Sequence, residues 1–370
     1  MGVGELMNNT EEDKTLYEVG ERFIVKKIIS TLSPSNLLLD GFGNDSAFID
    51  ITVNDEEVLV VNTDRSGLNL AYKLGLADAE CVGDLGVSHA ISDVVAAGGI
   101  PQFLTVSLLL PENTTVGFVK KVMSGIEKSA TRYGTIVAGG DTKKNSTFAM
   151  VVTVIGKAHK SKRLTRSKAK KGDALVVTGH LGSMLLGSIA FKKNLDITDD
   201  VHTILKNALI HQHPPFKLGL ELANAGIANA CMDISDGLSG ALYAVCNSSC
   251  VGAVIDETKI PINPSLLDLA KSLGISAMQM SLAGGDWEFL YAIPQNKIEE
   301  AKLISKNHGI PISIIGEVIE RELVAVRTYQ GIVRHLLRIE HDSFIDKIDG
   351  KGYFEYLGIP QECFGEIIDY

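Results

Sequence analysis

The chain has 370 residues, a formal net charge of −10 and 45% apolar residues. Because this length exceeds that of a typical single domain, we expect two domains with separate cores. The negative charge argues against general affinity for nucleic-acid backbones and favours small ligands, held in part through metal ions.

The cysteines and the N-terminal residues bear on cellular location. The five cysteines are an odd number spread along the chain, so we expect buried free thiols in a reducing compartment. Residues 1–14 are polar and acidic, and no apolar run approaches the length of about 18 residues that a membrane span needs. We therefore predict a soluble cytoplasmic protein with neither membrane nor nucleic-acid partners.

The first half of the chain alternates between predicted helices and strands. Residues 1–15 are predicted to be a disordered tail, and Asp78 is a plausible cap for the second helix. Residues 37–49 form a glycine-punctuated loop that holds a carboxylate between two apolar runs. The predicted segments are helices over 16–32, 79–97 and 116–133, and strands over 58–62, 103–110, 135–137 and 148–155.

Gly139-Gly140-Asp141 lies between the last two of these strands. Two glycines let a backbone approach a ligand closely, and Asp141 with Lys143 and Lys144 suits a metal-bound polyphosphate. A Gly-Gly-Asp corner is also common as a plain tight turn. The segment taken alone leaves both interpretations open.

A basic, polar stretch at residues 164–173 marks the predicted domain boundary. We assign residues 16–160 to an N-terminal domain, 161–340 to a C-terminal α/β domain, and 341–370 to a tail. His211 and His213 are expected to be surface or capping groups. The predicted segments are strands over 174–179, 227–233, 289–291, 312–317 and 323–327, and helices over 182–191, 238–247 and 297–307.

Several aspartates follow apolar segments that would fix their positions. Carboxylates that converge repel one another unless a cation neutralises them, and Mg²⁺ binds such oxygens together with phosphate oxygens. Phosphoryl transfer needs mainly positioning and charge neutralisation. Independent surface turns are the alternative, and Asp236 is equally well explained as a helix cap. The candidates are Asp45, Asp64, Asp93, Asp141, Asp233 and Asp236.

Other enzyme classes are excluded by missing motifs. The chain has no Gly-x-x-x-x-Gly-Lys-[Ser/Thr] phosphate loop, no Gly-x-Gly-x-x-Gly dinucleotide turn, no His-Glu-x-x-His and no Gly-x-Ser-x-Gly elbow. A nucleotide-dependent enzyme with this sequence must therefore use a different fold.

A series of motifs resembles the thiamine-monophosphate kinase family, which belongs to the aminoimidazole-ribonucleotide-synthase-like (PurM-like) superfamily. The resemblance covers roughly residues 16–320, and the order of the motifs makes it specific. The motifs are Gly43-Asn44-Asp45-Ser46-Ala47, Thr63-Asp64, Ile91-Ser92-Asp93-Val94, Gly139-Gly140-Asp141-Thr142, Leu164-Thr165-Arg166-Ser167, Lys171-Gly172-Asp173, Asp233-Ile234-Ser235-Asp236-Gly237-Leu238 and Gly284-Gly285-Asp286-Trp287-Glu288.

The resemblance implies an N-terminal α+β domain of ferredoxin-like type that pairs with its copy in a homodimer, and a C-terminal α/β domain. ATP would lie in a cleft with several Mg²⁺ ions, and its γ-phosphoryl group would pass directly to thiamine monophosphate, giving thiamine diphosphate. The implied metal ligands are Asp45, Thr63, Asp64, Asp93, Asp141, Asp233 and Asp236. The implied ATP contacts are Gly140, Asp141, Arg166 and Ser235, and Asp141 and Asp236 are the implied catalytic residues.

The departures from the family pattern concern mainly the acceptor. Residues 65–72 replace a Glu-Gly-x-His-Phe segment, Asn44 replaces an aspartate, and the usual Gly-Gly-Glu-Asp-Tyr-Glu is one residue shorter here. Asp286 and Trp287 are the candidate acceptor contacts, whereas Phe289 and Tyr291 are at least as well explained as core residues.

Two alternatives to the kinase remain open from the sequence. One is a related ATP-dependent ligase, or a dehydratase that works through a C-terminal cysteine, although Cys363 lies seven residues from Tyr370. The other is a non-catalytic nucleotide-binding paralogue that has lost the acceptor site. Retention of all the candidate metal aspartates argues against this second alternative.

Overall fold

The computed structural model describes Phe23 and residues 38–40, 44–50, 56–339 and 362–369. The tail at residues 1–15 and nearly all of the predicted helix over 16–32 lie outside these residues. The described chain forms two domains, each built on a mixed β-sheet with helices packed against it. None of the helices in the described ranges combines the length and the apolar character needed to span a bilayer.

The first sheet has six strands in the order β1-β2-β3-β6-β4-β5. Only β4 and β5 pair in parallel; the other described pairs are antiparallel. The strands are β1 (Leu38–Leu39), β2 (Ala47–Ile49), β3 (Glu57–Ser66), β4 (Ile100–Leu110), β5 (Ile136–Lys144) and β6 (Ala149–His159). The helices of this half are α1 (Leu70–Lys73), α2 (Ala79–Ala96) and α3 (Val116–Tyr133).

Apart from the four-residue helix α1, the order along the chain from β3 onward is strand, helix, strand, helix, strand, strand. This order agrees with the sequence pattern, but it differs from the β-α-β-β-α-β order of a ferredoxin-like domain. The ferredoxin-like expectation is corrected accordingly. We call the face of this sheet that packs against α2 the inner face and the opposite one the outer face.

Strand β5 differs most from its prediction. Gly139-Gly140-Asp141 lies inside this strand rather than in a turn after it. A Cβ atom on Gly140 would lie 1.9 Å from the Val106 carbonyl oxygen on β4. The two strands therefore approach so closely only because residue 140 has no side chain. The register shifts after the Leu104–Val137 pair, which leaves Ala138 as a bulge.

The second sheet has eight strands in the order β14-β13-β12-β9-β11-β7-β10-β8. They are β7 (Ala174–Thr178), β8 (Ala230–Asp233), β9 (Gly252–Asp256), β10 (Phe289–Ile293), β11 (Ile312–Ile319), β12 (Val324–Arg327), β13 (Val333–Leu336) and β14 (Phe364–Ile367). The helices are α4 (Ser183–Lys192), α5 (Asp199–Ile210), α6 (Phe216–Asn224), α7 (Leu238–Ser249), α8 (Leu267–Ser272), α9 (Ala277–Ser281) and α10 (Ile298–His308). Strand β14 lies within the residues predicted to be a tail.

Helix α2 connects the two domains. Its N-terminus is capped as predicted, with Asp78 Oδ1 accepting a hydrogen bond from the Glu80 amide at 3.0 Å. The helix packs against β3, β4, β6 and α3 of its own domain and against α6 and β8 of the other. Because it has neighbours on so many sides, nearly all of its residues are buried.

The apolar core is continuous between the domains. One buried cluster contains Val95 of α2, Leu218 of α6, and Phe289 and Tyr291 of β10. The expectation of two separate cores is therefore wrong for this interface, and Phe289 and Tyr291 are core residues. All five cysteines are free, and all but Cys250 are buried.

Candidate active site

Three aspartates from separate parts of the chain meet where the domains join. Asp45 lies in the loop before β2, Asp93 in the last turn of α2 and Asp233 at the end of β8. One carboxylate oxygen of each lies within 4.8 Å of the corresponding oxygens of the others. We call these three residues the acid cluster. Carboxylate oxygens are the donors that Mg²⁺ prefers, so the donor set fits this ion.

Polar side chains fix the orientation of two of these carboxylates. Asn62 Nδ2 donates to Asp93 Oδ2 at 2.6 Å. Ser92 Oγ donates to Asp233 Oδ2 at 3.0 Å, and Ser235 Oγ donates to Asp233 Oδ1 at 3.4 Å. Ser92 and Asp93 are adjacent residues of α2. Ser92 thus binds the end of β8, and Asp93 contributes a carboxylate beside it.

Burial and mutual repulsion disfavour the charged forms of these acids. The pKa of Asp233 is raised to about 8, first by burial and then by the charge of Asp45. Burial also raises the pKa of Asp93 well above its usual range, and the charges of Asp233, Asp45 and Asp64 add to this effect. A divalent cation would relieve the repulsion and displace the protons.

Arg166 already brings a positive charge to the acid cluster. Its Nε donates to Asp45 Oδ2 at 2.9 Å, and its Nη2 donates to Asp45 Oδ1 at 2.5 Å. Burial alone would lower the pKa of Arg166, but the charges of Asp45, Asp233 and Asp93 raise it above its ordinary value. The guanidinium is therefore a permanent cation at this site.

Thr63 and Asp64 are consecutive residues of β3, so their side chains point to opposite faces of the sheet. Asp64 lies on the inner face, where burial raises its pKa against the lowering effect of Arg65. The Thr63 hydroxyl lies 3.0 Å from the Thr153 hydroxyl. The structure therefore places the Thr63 hydroxyl on the outer face, away from the acid cluster.

Asp141 is also separated from the acid cluster. The pairing register runs from Asp64 on β3 through β6 and β4 to Gly140 on β5. Three steps of about 4.8 Å put β5 about 14 Å from β3. Asp141 follows Gly140, so it lies on the outer face, where its Oδ1 accepts from the Thr142 amide at 2.8 Å. Asp141 is therefore not among the carboxylates that the structure brings together.

Asp236 lies just beyond the end of β8. Helix α7 begins after Gly237, which occupies the cap position without a side-chain hydrogen bond. Gly237 rather than Asp236 thus occupies the N-cap position of α7. Its charge contributes to the raised pKa of Asp233, so it lies near enough to act on the acid cluster.

Comparison with known proteins identifies the family. The family profile for the N-terminal domain of AIR synthase related proteins matches residues 43–158, and the profile for their C-terminal domain matches residues 170–328. The chain belongs to the AIR synthase related family.

Two thiamine-monophosphate kinases and one solved structure are similar to this chain over most of its length. Thiamine-monophosphate kinase of Buchnera aphidicola subsp. Acyrthosiphon pisum is 32% identical over 282 residues, which cover 76% of this chain and 84% of the relative. The enzyme of the same name from Pyrococcus horikoshii is 32% identical over 289 residues, covering 77% and 85%. The structure of AaThiL complexed with AMPPCP and TMP has a TM-score of 0.75 and 25% identity, covering 89% of this chain and 99% of that one. The predicted resemblance is confirmed.

The two acids in the shortened loop of this AIR synthase related protein bind neighbouring elements. Asp286 Oδ2 accepts from the Gly182 amide at 2.6 Å, and its Oδ1 accepts from the Met184 amide at 3.1 Å. Asp286 thus binds the N-terminus of α4 with both oxygens. Glu288 Oε2 accepts from the Thr178 hydroxyl at 2.6 Å.

Trp287 lies between these two anchored acids. Its φ is +57°, in the left-handed region that non-glycine residues rarely adopt. Its ring stacks on that of His89 from α2, with 3.7 Å between centroids and 10° between planes. Burial lowers the pKa of His89 to about 3, so this imidazole is neutral.

Sequence reasoning missed a second polar group at the domain junction. Arg132 of α3 makes a two-pronged contact with Asp84 of α2, and His213 Nε2 lies 3.1 Å from Asp84 Oδ2. Burial alone would raise the pKa of Asp84, but the bonds and charges of His213 and Arg132 lower it. His213 therefore joins the domains instead of lying on the surface. The sequence signal for this polar group was Asp84, a charged residue inside an otherwise largely apolar helix.

Proposed function

We propose that this protein is an ATP- and Mg²⁺-dependent phosphotransferase that converts thiamine monophosphate to thiamine diphosphate by direct in-line transfer. The observation that carries the proposal is the convergence of Asp45, Asp93 and Asp233 within 4.8 Å. The likeness to thiamine-monophosphate kinases supports the choice of reaction. The enzyme would then act in thiamine diphosphate biosynthesis in the cytoplasm.

The charged groups around the acid cluster support such a transfer. Mg²⁺ held by the acid cluster would neutralise the phosphate oxygens of ATP, so no side-chain nucleophile is required. Asp64 and Asp236 border the cluster and are proposed as further ligands. Ser235 and Arg166 are proposed to contact the phosphates, which agrees with their contacts to Asp233 and Asp45.

Trp287 is the proposed acceptor platform. A thiazolium ring is cationic and planar, and an indole face attracts such rings. Because the imidazole of His89 behind the indole is neutral, it adds no charge that would repel the acceptor. Asp286 and Glu288 hold the loop on either side of Trp287 through their bonds to α4 and Thr178.

We further propose that two copies pair through the outer face of the first sheet. A cross-strand row on this face contains Val61, Ile155, Phe103 and Ile136, none of which is buried within the described residues. Phe103 is 43% exposed and Ile136 is 59% exposed. Gly140 and Asp141 lie on the edge strand β5, and Asp141 lies on the outer face, so their proposed contact with nucleotide requires a nucleotide, bound to this chain or to the partner copy, that extends to β5.

The cysteine-dependent alternative is disfavoured by Cys363. This thiol is 1% exposed. Burial raises its pKa to about 12. The thiolate is the reactive form of cysteine, so a buried thiol with a raised pKa is a poor nucleophile.

Phosphorus NMR tests the proposed reaction. Purified protein with ATP, Mg²⁺ and thiamine monophosphate should give signals of ADP and thiamine diphosphate over hours, whereas the Asp233→Asn variant should give none. Intact ATP would contradict the proposal and support the non-catalytic alternative. ATP hydrolysis without thiamine diphosphate would contradict the choice of acceptor.

A further inference from the structure

Three basic residues of the segment between the domains pair with acids around β1 and β2. Lys160 Nζ lies 2.8 Å from Asp50 Oδ2, and Arg163 Nε lies 2.6 Å from Asp40 Oδ2. Arg166 makes the third pair, with Asp45. The three cations are spaced three residues apart along this segment. Their ion pairs attach the segment to the region of β1 and β2.

The third pair differs from the other two in its surroundings. The Asp45 side chain is 3% exposed, whereas those of Asp40 and Asp50 are 21% and 25% exposed. Asp45 belongs to the acid cluster, and the charge of Arg166 also acts on Asp93 and Asp233. Arg166 therefore neutralises part of the acid cluster, while Arg163 and Lys160 pair with more exposed acids outside it.

The backbone of Arg166 is fixed to the second domain. Its carbonyl oxygen accepts from Ser249 Oγ of α7 at 2.8 Å, and the same hydroxyl accepts from the Ala169 amide at 3.1 Å. The guanidinium extends from this anchored point to a carboxylate of the first domain. The ion pair between Arg166 and Asp45 thus joins the two domains.

We propose that Arg166 is an internal counter-ion that competes with divalent cations for the acid cluster. Both oxygens of Asp45 accept from Arg166, so an ion that approaches them meets a permanent positive charge. The phosphates of a nucleotide offer the guanidinium an alternative two-pronged partner. The ion then binds strongly only together with nucleotide. This last step rests on the proposed function, whereas the competition itself does not.

Manganese binding without nucleotide tests the competition directly. Free Mn²⁺ is measured by electron paramagnetic resonance during titration of the full chain, with neither ATP nor acceptor present. Arg166→Met should lower the dissociation constant for Mn²⁺ by about tenfold or more, the size of effect that one neighbouring charge has on a buried ionisable group. Arg163→Met is the matched control and should bind Mn²⁺ as the unchanged protein does, because its partner Asp40 lies outside the acid cluster.

Two further variants separate charge from packing. Arg166→Lys keeps a cation without the planar fork and should not gain Mn²⁺ affinity, whereas Arg166→Gln is neutral and should gain it as the methionine variant does. Unchanged or weaker Mn²⁺ binding in both neutral variants overturns the proposal. Failure of both to fold even with saturating Mn²⁺, followed by circular dichroism, also overturns it, because Arg166 would then be needed for the fold itself.

The result of the Mn²⁺ titration does not depend on whether the protein phosphorylates thiamine monophosphate. If the protein does not phosphorylate thiamine monophosphate, a gain of Mn²⁺ affinity in the neutral variants still supports Arg166 as the competing cation. If the reaction occurs and the neutral variants show no gain, this inference alone is wrong.

Discussion

The sequence Gly-Gly-Asp occurs twice in this chain, and the two copies have different structures. Gly139-Gly140-Asp141 continues the exposed edge strand β5. Gly284-Gly285-Asp286 forms a loop in which Gly285 has a φ of +99°, and its aspartate binds the N-terminus of α4. The first copy thus serves strand pairing, and the second serves a turn and a helix cap.

The contacts of the glycines explain this difference. A Cβ atom on Gly140 would meet the backbone of Val106, whereas one on Gly285 would lie 2.4 Å from the Cε atom of Met184 in α4. The neighbouring aspartates differ as well. Asp141 is exposed on the edge strand, while both oxygens of Asp286 are bonded to backbone amides. A tripeptide therefore acquires its role from what packs against it.

Among the variants that test this comparison, Asp141→Asn is expected to have the largest effect, and this effect is on turnover. Asp141→Asn should lower kcat/KM for phosphoryl transfer by about 100-fold or more, because the amide would no longer bind the Mg²⁺ ion through which Asp141 is proposed to contact the nucleotide. Its free energy of unfolding should change by less than about 0.5 kcal/mol, since the side chain is exposed. Steady-state kinetics and urea denaturation measure the two quantities. Unchanged turnover would show that the Asp141 carboxylate takes no part in the reaction.

Within the first copy, the two glycines should respond differently to alanine. Gly140→Ala should lower the free energy of unfolding by about 1–3 kcal/mol, because the added methyl group would lie 1.9 Å from the Val106 carbonyl oxygen. Gly139→Ala is the matched control, since a Cβ atom there has no neighbour within 4 Å among the described residues. Equal destabilisation in urea denaturation would contradict the described pairing of β4 and β5.

The aspartate of the second copy should affect stability more than chemistry. Asp286→Ala removes the acceptor for the Gly182 and Met184 amides and should cost about 1–2 kcal/mol of unfolding free energy. The Asp141→Asn variant serves as the comparison, because it should show the opposite pattern. If Asp286→Ala leaves stability unchanged while abolishing turnover, Asp286 acts on the acceptor, as the sequence interpretation held.

The sequence predicts that aspartates converge on one site, but it does not predict which of the candidate residues belong to the acid cluster. Asp45, Asp93 and Asp233 each follow an apolar segment or lie within one, and the structure brings these three together. Thr63 and Asp141 belong to the same motifs but lie on the other face of the sheet. The period of two along a strand separates neighbours such as Thr63 and Asp64, and motif spacing alone does not show which face a residue occupies.

Long-range packing explains the other differences from the sequence predictions. Strand β5 continues through two glycines because β4 pairs with it, and propensity alone favours a turn there. Helix α5 was missed although Thr198 caps it and acidic residues follow in its first turn. The stacking of Trp287 on His89 joins residues nearly 200 positions apart, and no local pattern signals such a contact.

The smallest expected effect is on the pH dependence of stability, through Glu288 in the loop that follows the second Gly-Gly-Asp copy. Burial raises the pKa of Glu288 to about 8, from a value of about 4.3 in an unfolded chain. The folded state therefore binds this proton more tightly, so the contribution of Glu288 to stability is fully present below about pH 4 and is lost as the pH rises through about 8. Glu288→Gln removes this titration and retains an acceptor for Thr178. The free energy of unfolding of this variant should thus fall less between pH 6 and pH 8 than that of the unchanged protein.

Urea denaturation at several pH values, in the same buffer for every protein, measures this difference. Asp233 titrates in the same window, so the difference between the two proteins carries the information rather than either slope alone. Glu320→Gln is the control, because the bond from Lys171 lowers the pKa of Glu320 and moves its titration to lower pH. Equal slopes for Glu288→Gln and the unchanged protein would show that Glu288 is ionised throughout this window. The carboxylate beside Trp287 would then bring a negative charge to the proposed acceptor platform, which would favour a cationic ring there more strongly than the indole does alone.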